Sequence, residues 1–121
     1  MSSNNLAIGR IGEELARIFL QKRGFTILRS NFRFGPTEID LIAQRGNTIH
    51  FIEVKTRRDQ SKGKPYEAVN AKKRRNILRT AEYFLLQSKM KRHKLSLDVV
   101  SIMLDYEGVV RAFDYFENII L

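Results

Sequence analysis

The chain has no cysteine among its 121 residues, which excludes disulfides, thiolate nucleophiles, Cys-based zinc sites and Cys-ligated iron–sulfur clusters. No apolar run approaches the roughly 20 residues that a membrane-spanning helix needs. The stretch Met1 to Arg10 has no apolar region of signal-peptide length, so a cytoplasmic address without membrane contact is expected. Acidic residues are scarce where basic ones are dense. Residues 54–94 hold 14 of the 22 Lys and Arg but only Asp59, Glu67 and Glu82 among the acids, a local charge of +11 in a chain of net charge +9. Clustered cations of this kind displace the counterions condensed on a phosphate backbone, which points to a nucleic-acid partner.

What is present is enough apolar material for a core: 43% of residues are hydrophobic and 10% aromatic, at a length suited to a single domain spanning 1–121. Ile8, Ile11, Leu15, Ile18 and Phe19 recur at three- and four-residue steps. They predict a helix from about Asn5 to Arg23, with Asn4 or Asn5 as N-cap and Gly24 at its end. Phe25–Arg33, Glu38–Ala43 and Thr48–Lys55 read as strands, the last two joined as a hairpin through Gln44, Arg45, Gly46 and Asn47. A polar loop at Asp59–Lys64 precedes a second helix from the N-cap Asn70 to about Ser88. Leu97–Leu104 and Val109–Asp114 close the chain as two more strands. The order α-β-β-β-α-β-β implies an α/β fold with a mixed sheet of about five strands flanked by helices.

The hairpin carries the chemistry. Alternation along a strand puts Glu53 and Lys55 on one face and Val54 on the other. If Gly46 and Asn47 are the central turn residues, cross-strand partners have numbers summing to 93, so Asp40 faces Glu53 and Glu38 faces Lys55. Directly opposed Cβ atoms lie about 4.5–5.5 Å apart, where two like charges are destabilising unless a cation sits between them. Mg²⁺, or Mn²⁺, suits one or two carboxylates with water and phosphate completing its shell. Lys55 would then position the attacking water or stabilise transition-state charge. A lone E-x-K on a strand is more often a solvated ion pair. Here the register with Asp40 and the basic segment favour a site.

Further along, Lys72, Lys73, Arg74 and Arg75 crowd the first turns of the second helix, against the sign its dipole prefers, and a bound phosphate would relieve that conflict. Arg57 and Arg58, directly after the E-V-K strand, are placed for phosphate contact. Tyr66 and Tyr83 can stack on bases, although packing is the commoner use of a tyrosine. His50 and His93 have no partner at ligand or nucleophile spacing, which argues against a His-based mechanism.

Asp40 followed after 12 residues by Glu53-Val54-Lys55 resembles the PD-(D/E)xK nuclease superfamily, with Ile39 where the superfamily has proline. The fuller series resembles the bacterial YraN family: Gly9-Arg10-Ile11-Gly12-Glu13, Arg23-Gly24-Phe25, Asn31-Phe32-Arg33, Glu38 to Ile42, Phe51 to Arg57, Lys73 and Asp98-Val99-Val100. Thr37 departs from that family's usual glycine, and neither departure removes a candidate ligand. The resemblance implies a restriction-endonuclease-like, Holliday-junction-resolvase-like core. It makes Asp40 and Glu53 metal ligands and Lys55 the catalytic lysine, with Glu13 presented to the site by the first helix. On a helical wheel Glu13 shares a side with Gly9, Ala16 and Leu20, which suits packing. Junction-cleaving members of the superfamily act as dimers, so a homodimer is a further expectation. The expected function is a divalent-metal endonuclease acting on DNA, branched or structured forms included. The alternative is a nuclease-fold module that binds nucleic acid or a partner without cutting. A scaffold with merely superficial charges would instead require Asp40 and Glu53 to stand apart.

Overall fold

The helical and strand periodicities resolve into two helices and five strands. The computed structural model describes residues 3–58 and 70–119. Its elements are α1 (Ser3–Lys22), β1 (Thr26–Phe34), β2 (Thr37–Arg45), β3 (Thr48–Arg57), α2 (Ala71–Gln87), β4 (Lys94–Leu104) and β5 (Val110–Phe116). The loop expected at Asp59–Lys64, and Tyr66, lie outside the described residues. Both helices run close to their expected limits. Asn70 caps α2, its side-chain oxygen accepting the Lys73 N–H at 2.8 Å. The cap expected at Asn4 or Asn5 is not one, because both residues lie within α1. Nothing in that first turn forbids helical dihedrals, so the nucleated helix propagates through it.

The strands form one sheet in the order β1-β2-β3-β4-β5, antiparallel at each step except β3–β4, which run parallel. A parallel pair needs a long crossover, and the segment containing α2 supplies it. The helices cover opposite faces. Ala16 and Leu20 of α1 pack with Leu41, Ala43, Ile52, Val100 and Ile102, whereas Ile77, Ala81, Phe84 and Leu85 of α2 pack with Ile39, Ile42, Phe51, Leu97 and Val99. Burial on both faces explains why β3 and β4 read as nearly continuous apolar runs. Helix α1 comes very close to β3 at Gly12, where an added Cβ would lie 1.7 Å from Thr56 Oγ1.

The β2–β3 turn follows its sequence. Gly46 takes φ +61°, and the pairs from Leu41–Ile52 to Arg45–Thr48 all sum to 93. The ladder then stops, so the direct pairings expected of Asp40 with Glu53 and of Glu38 with Lys55 are not formed. The cause is a turning-over of β2. Ile39 packs into the α2-side core and Leu41 into the α1-side core, although residues two apart on a regular strand share a face. β1 turns over with it: Ser30 accepts a hydrogen bond from Arg17 of α1, while Phe32 packs edge-on to Phe84 of α2 at 5.2 Å. Between Ser30 and Phe32 stands Asn31, at φ +51°. The region of positive φ costs most L-residues about 1–2 kcal/mol, and Asn is among the few side chains that visit it readily.

Candidate functional site

Where β2 parts from β3, the Asp40 side chain fills the place of the missing ladder bond. Its Oδ2 accepts the Val54 N–H at 2.7 Å. Burial pushes the Asp40 carboxyl up to about 7 and the nearby Glu53 charge adds to the rise, while the Val54 N–H and Lys55 oppose it. Glu13 on α1 contributes to the same crowding. Its own carboxyl is raised by burial, held back by a hydrogen bond with the Asn31 side chain, and raised again by the charges of Glu38 and Glu53. Three acids from three elements therefore sense one another electrostatically. Asp40 and Glu53 do not stand apart in solvent as a scaffold with superficial charges would require.

Glu53 follows the buried Phe51 and Ile52 and keeps only 12% of its side chain exposed. Two amines share its Oε1: Lys55 Nζ at 3.2 Å along the same strand face, and Lys73 Nζ at 3.4 Å from the first turn of α2. The Asn70 cap fixes the helix start that aims Lys73 inward. Glu38 does not partner Lys55, a correction to the expected pairing. It bonds Arg33 at 2.6 Å, because β1 stays paired with β2 in this stretch where β3 does not. The basic run is divided: Lys73 meets Glu53, Arg74 is half-buried, and Lys72 and Arg75 remain exposed on α2. Arg57 closes β3, and the guanidinium of Arg58 lies over the Tyr106 ring at 5.4 Å.

A second set of ligand-type side chains lies on the α1 side of the sheet. Among the described residues, the group whose ligand atoms all fall within 4.8 Å of one another, spacing that could hold a metal ion, is His50, Asp98 and Glu117. Its oxygens are already engaged. Asp98 is approached by His50 Nδ1 at 2.6 Å, Ser96 Oγ at 2.5 Å and the Asn118 N–H at 2.9 Å, and it also accepts from the Tyr115 hydroxyl. A carboxylate offers about four lone-pair directions, so these donors fill Asp98. Because a carboxylate only accepts, the His50 proton facing it sits on Nδ1. Glu117 binds Arg45 at 2.8 Å. Burial and the Asp98 charge push the Tyr115 phenol upward, which keeps it a donor. The cluster ties β3, β4 and the end of β5 together.

That network was not foreseen from the sequence. The carboxylate partner of His50 lies 48 residues downstream on a parallel neighbour, which no local spacing announces. Nor was Asn31, whose signal is its positive φ. The Glu13, Asp40 and Glu53 set offers oxygen ligands only, the donor type a hard divalent ion takes, but its ligand atoms do not all fall within the 4.8 Å spacing that the His50 group meets. Water and phosphate would complete the shell.

Residues 12–102 match the family described as "Uncharacterised protein family UPF0102". A relative from Dictyoglomus thermophilum is 42% identical over 115 residues, covering 95% of this chain and 98% of its own length. Another from Caldicellulosiruptor saccharolyticus has the same identity and coverage, and one from Caldicellulosiruptor bescii is 46% identical over 99 residues, covering 81% of this chain and 83% of its own length. Each is named "UPF0102 protein".

Proposed function

The chain belongs to the uncharacterised protein family UPF0102, and from the chemistry of its own residues we propose that it is a Mg²⁺- or Mn²⁺-dependent endonuclease of DNA, branched or structured forms included. The observation that carries this reading is the buried Asp40 carboxylate, held by the Val54 N–H at 2.7 Å where β2 parts from β3 and crowded by the charges of Glu53 and Glu13. Such crowding of acids favours a cation in their midst, and perturbed carboxyls of this kind concentrate at functional sites. A bound divalent ion supplies a water of lowered pKa and a counter-charge for the phosphate oxygens. Asp40 and Glu53 would hold it, with Glu13 completing the donor set from α1. Lys55, 3.2 Å from Glu53, would orient the attacking water and stabilise charge developing on the phosphodiester. Arg57, Arg58, Lys72, Lys73, Arg74 and Arg75 supply cations for the flanking phosphates.

The test incubates linear, gapped and four-way DNA with Mg²⁺ or Mn²⁺, comparing wild type with Asp40→Asn and Lys55→Ala. Each substitution should lower cleavage by about 100-fold or more, the usual consequence of losing one electrostatic group from a reacting centre. Cleavage that survives both substitutions would sink the mechanism. A second reading, binding without cutting, draws on the two lysines that already share Glu53 Oε1. It predicts salt-sensitive binding that Lys55→Ala leaves unchanged, with no turnover under any metal.

A further inference from the structure

Next to the candidate site, the β1–β2 turn and α2 enclose a cavity of about 100 Å³, lined by Phe34, Pro36 and Thr37 from the turn and by Asn76, Arg79 and Thr80 from the helix. One wall is aromatic and remains partly open to solvent. The Phe34 ring, 37% exposed, is held in place by Tyr83, 38% exposed, with centroids 4.1 Å apart and planes 20° from parallel. Two polar groups on the opposite wall are uncommitted among the described residues. The Asn76 side-chain amide and the Arg79 guanidinium have no hydrogen-bond or ion-pair partner among the described residues, while the Thr80 hydroxyl is used by the Asn76 carbonyl at 2.9 Å.

An aromatic face, an amide and a guanidinium are the three chemistries that recognise a nucleotide: stacking, base-edge hydrogen bonding and phosphate pairing. A base inside a duplex has its faces covered by neighbours, so only an unpaired base can present one to Phe34. Position matters as well. Asn76 lies about 4.5 Å along α2 from Lys73, and Thr37 about 10 Å along β2 from Asp40, by the rise of each element. We propose that this cavity takes one unpaired nucleobase of a nucleic-acid strand, stacked on Phe34, whose backbone continues to a phosphate at Lys73 and Asp40. Its placement next to a scissile phosphate rests on the endonuclease reading; its affinity for an unpaired base does not. The chain then selects strands that are unpaired beside the site, as at a gap, flap or branch.

The experiment measures binding of the full chain to DNA in EDTA, so that cleavage plays no part. A blunt duplex is compared with the same sequence carrying a short single-stranded gap that contains one 2-aminopurine. The gapped form should bind about tenfold more tightly, in line with the stacking of a single base, and its fluorescence should fall on binding. Phe34→Ala should remove both the preference and the quenching and leave duplex affinity in place. Asn76→Ala and Arg79→Ala, which remove no buried apolar contact, should each reduce the preference and guard against a folding defect in the first variant. Equal affinity for the two forms, or variants that weaken both equally, would overturn the inference whether or not the protein cuts. Competition by a free nucleoside monophosphate as strong as that of the gapped strand would overturn the strand assignment. Binding that shows the preference in a protein unable to cleave would retire the endonuclease reading alone.

Discussion

The two carboxylate clusters that flank β3 are built on opposite terms. Around Asp98, itself 2% exposed, every acceptor direction has a donor, and Arg45 neutralises the exposed Glu117. Around Asp40, the one backbone donor from Val54 is outweighed by burial and by the charges of Glu53 and Glu13. The first cluster resembles a closed structural joint. The second retains a conflict that the fold could remove with one uncharged side chain. Buried polar groups normally find partners, so a conflict left standing supports the proposal that this cluster takes the external ligand. Ligand-atom spacing alone selects the other one, His50 with Asp98 and Glu117.

Removing a partner from the satisfied cluster should therefore have the largest effect on folding. Asp98→Ala leaves His50, Ser96, Tyr115 and the Asn118 N–H without their shared acceptor. We expect a loss of about 3–5 kcal/mol in urea unfolding, the range for breaking a buried charged network. A loss under about 1 kcal/mol would mean that β5 is held by its apolar contacts instead.

The same kind of substitution in the conflicted cluster should act with the opposite sign. The ordinary carboxyl value of Asp40 is 3.8 and its folded value is about 7, so its contribution to stability is fully present below the first and is lost as pH rises through the second. Metal-free protein should accordingly melt at lower temperature at pH 8 than at pH 5. Asp40→Asn keeps an oxygen for the Val54 N–H and removes the charge. At pH 8 without metal it should be about 2–3 kcal/mol more stable than wild type, below the ceiling that the size of the shift allows. Added Mg²⁺ should raise the melting temperature of the wild type but not of the variant. Melting curves at both pH values decide the matter, and an Asp40→Asn protein less stable than wild type at pH 8 would show that the charge is compensated.

Geometry at the conflicted cluster depends on how closely α1 approaches. Gly12→Ala drives a Cβ to 1.7 Å from Thr56 Oγ1 and 2.9 Å from Thr56 Cβ, one residue before Glu13. Pushing the helix outward should cost about 2 kcal/mol. It should also weaken metal binding measured by calorimetry, because Glu13 moves with the helix. The joint at Asp98 shares β3 with Thr56 but meets it at His50, six residues away, so an unchanged His50 ring NMR signal would show that the disturbance stays at the α1 contact. A stable variant with wild-type metal affinity would remove Glu13 from the donor set.

Much of this arrangement could be read in the sequence, and the parts that could not have a common cause. Period-two alternation placed Glu53 and Lys55 together. Gly46-Asn47 set the hairpin register from Arg45 to Leu41, and Asn70 announced the start of α2. Each is a local rule, decided within a few residues. Register arithmetic failed at Asp40 because the strand turns over there, and that depends on Asn31 in the neighbouring strand and on two helices competing for Ile39 and Leu41. Lys73 reaching Glu53 and Asp98 reaching His50 are likewise long-range meetings, made by the crossover and the parallel pair. The basic run looked uniform in sequence and is not: one of its lysines turns inward and two of its members face solvent.

The smallest effect is the one that separates shape from charge at the turning point. Asn31 does two things: it adopts φ +51°, and its side chain hydrogen-bonds Glu13. Asn31→Ala should lose about 1 kcal/mol, since an alanine is strained at positive φ and carries no polar group. Asn31→Gly should recover most of that loss, because glycine accepts the backbone angle freely. The hydrogen bond lowers the Glu13 value against burial, so both variants should raise it further, readable by carbon-detected NMR titration of the Glu13 carboxyl. Stability would then follow the backbone while the titration follows the side chain. If the glycine variant leaves Glu13 titrating as in wild type, Asn31 serves only to turn β1 over, and the coupling between α1 and the conflicted cluster must run through Gly12 instead.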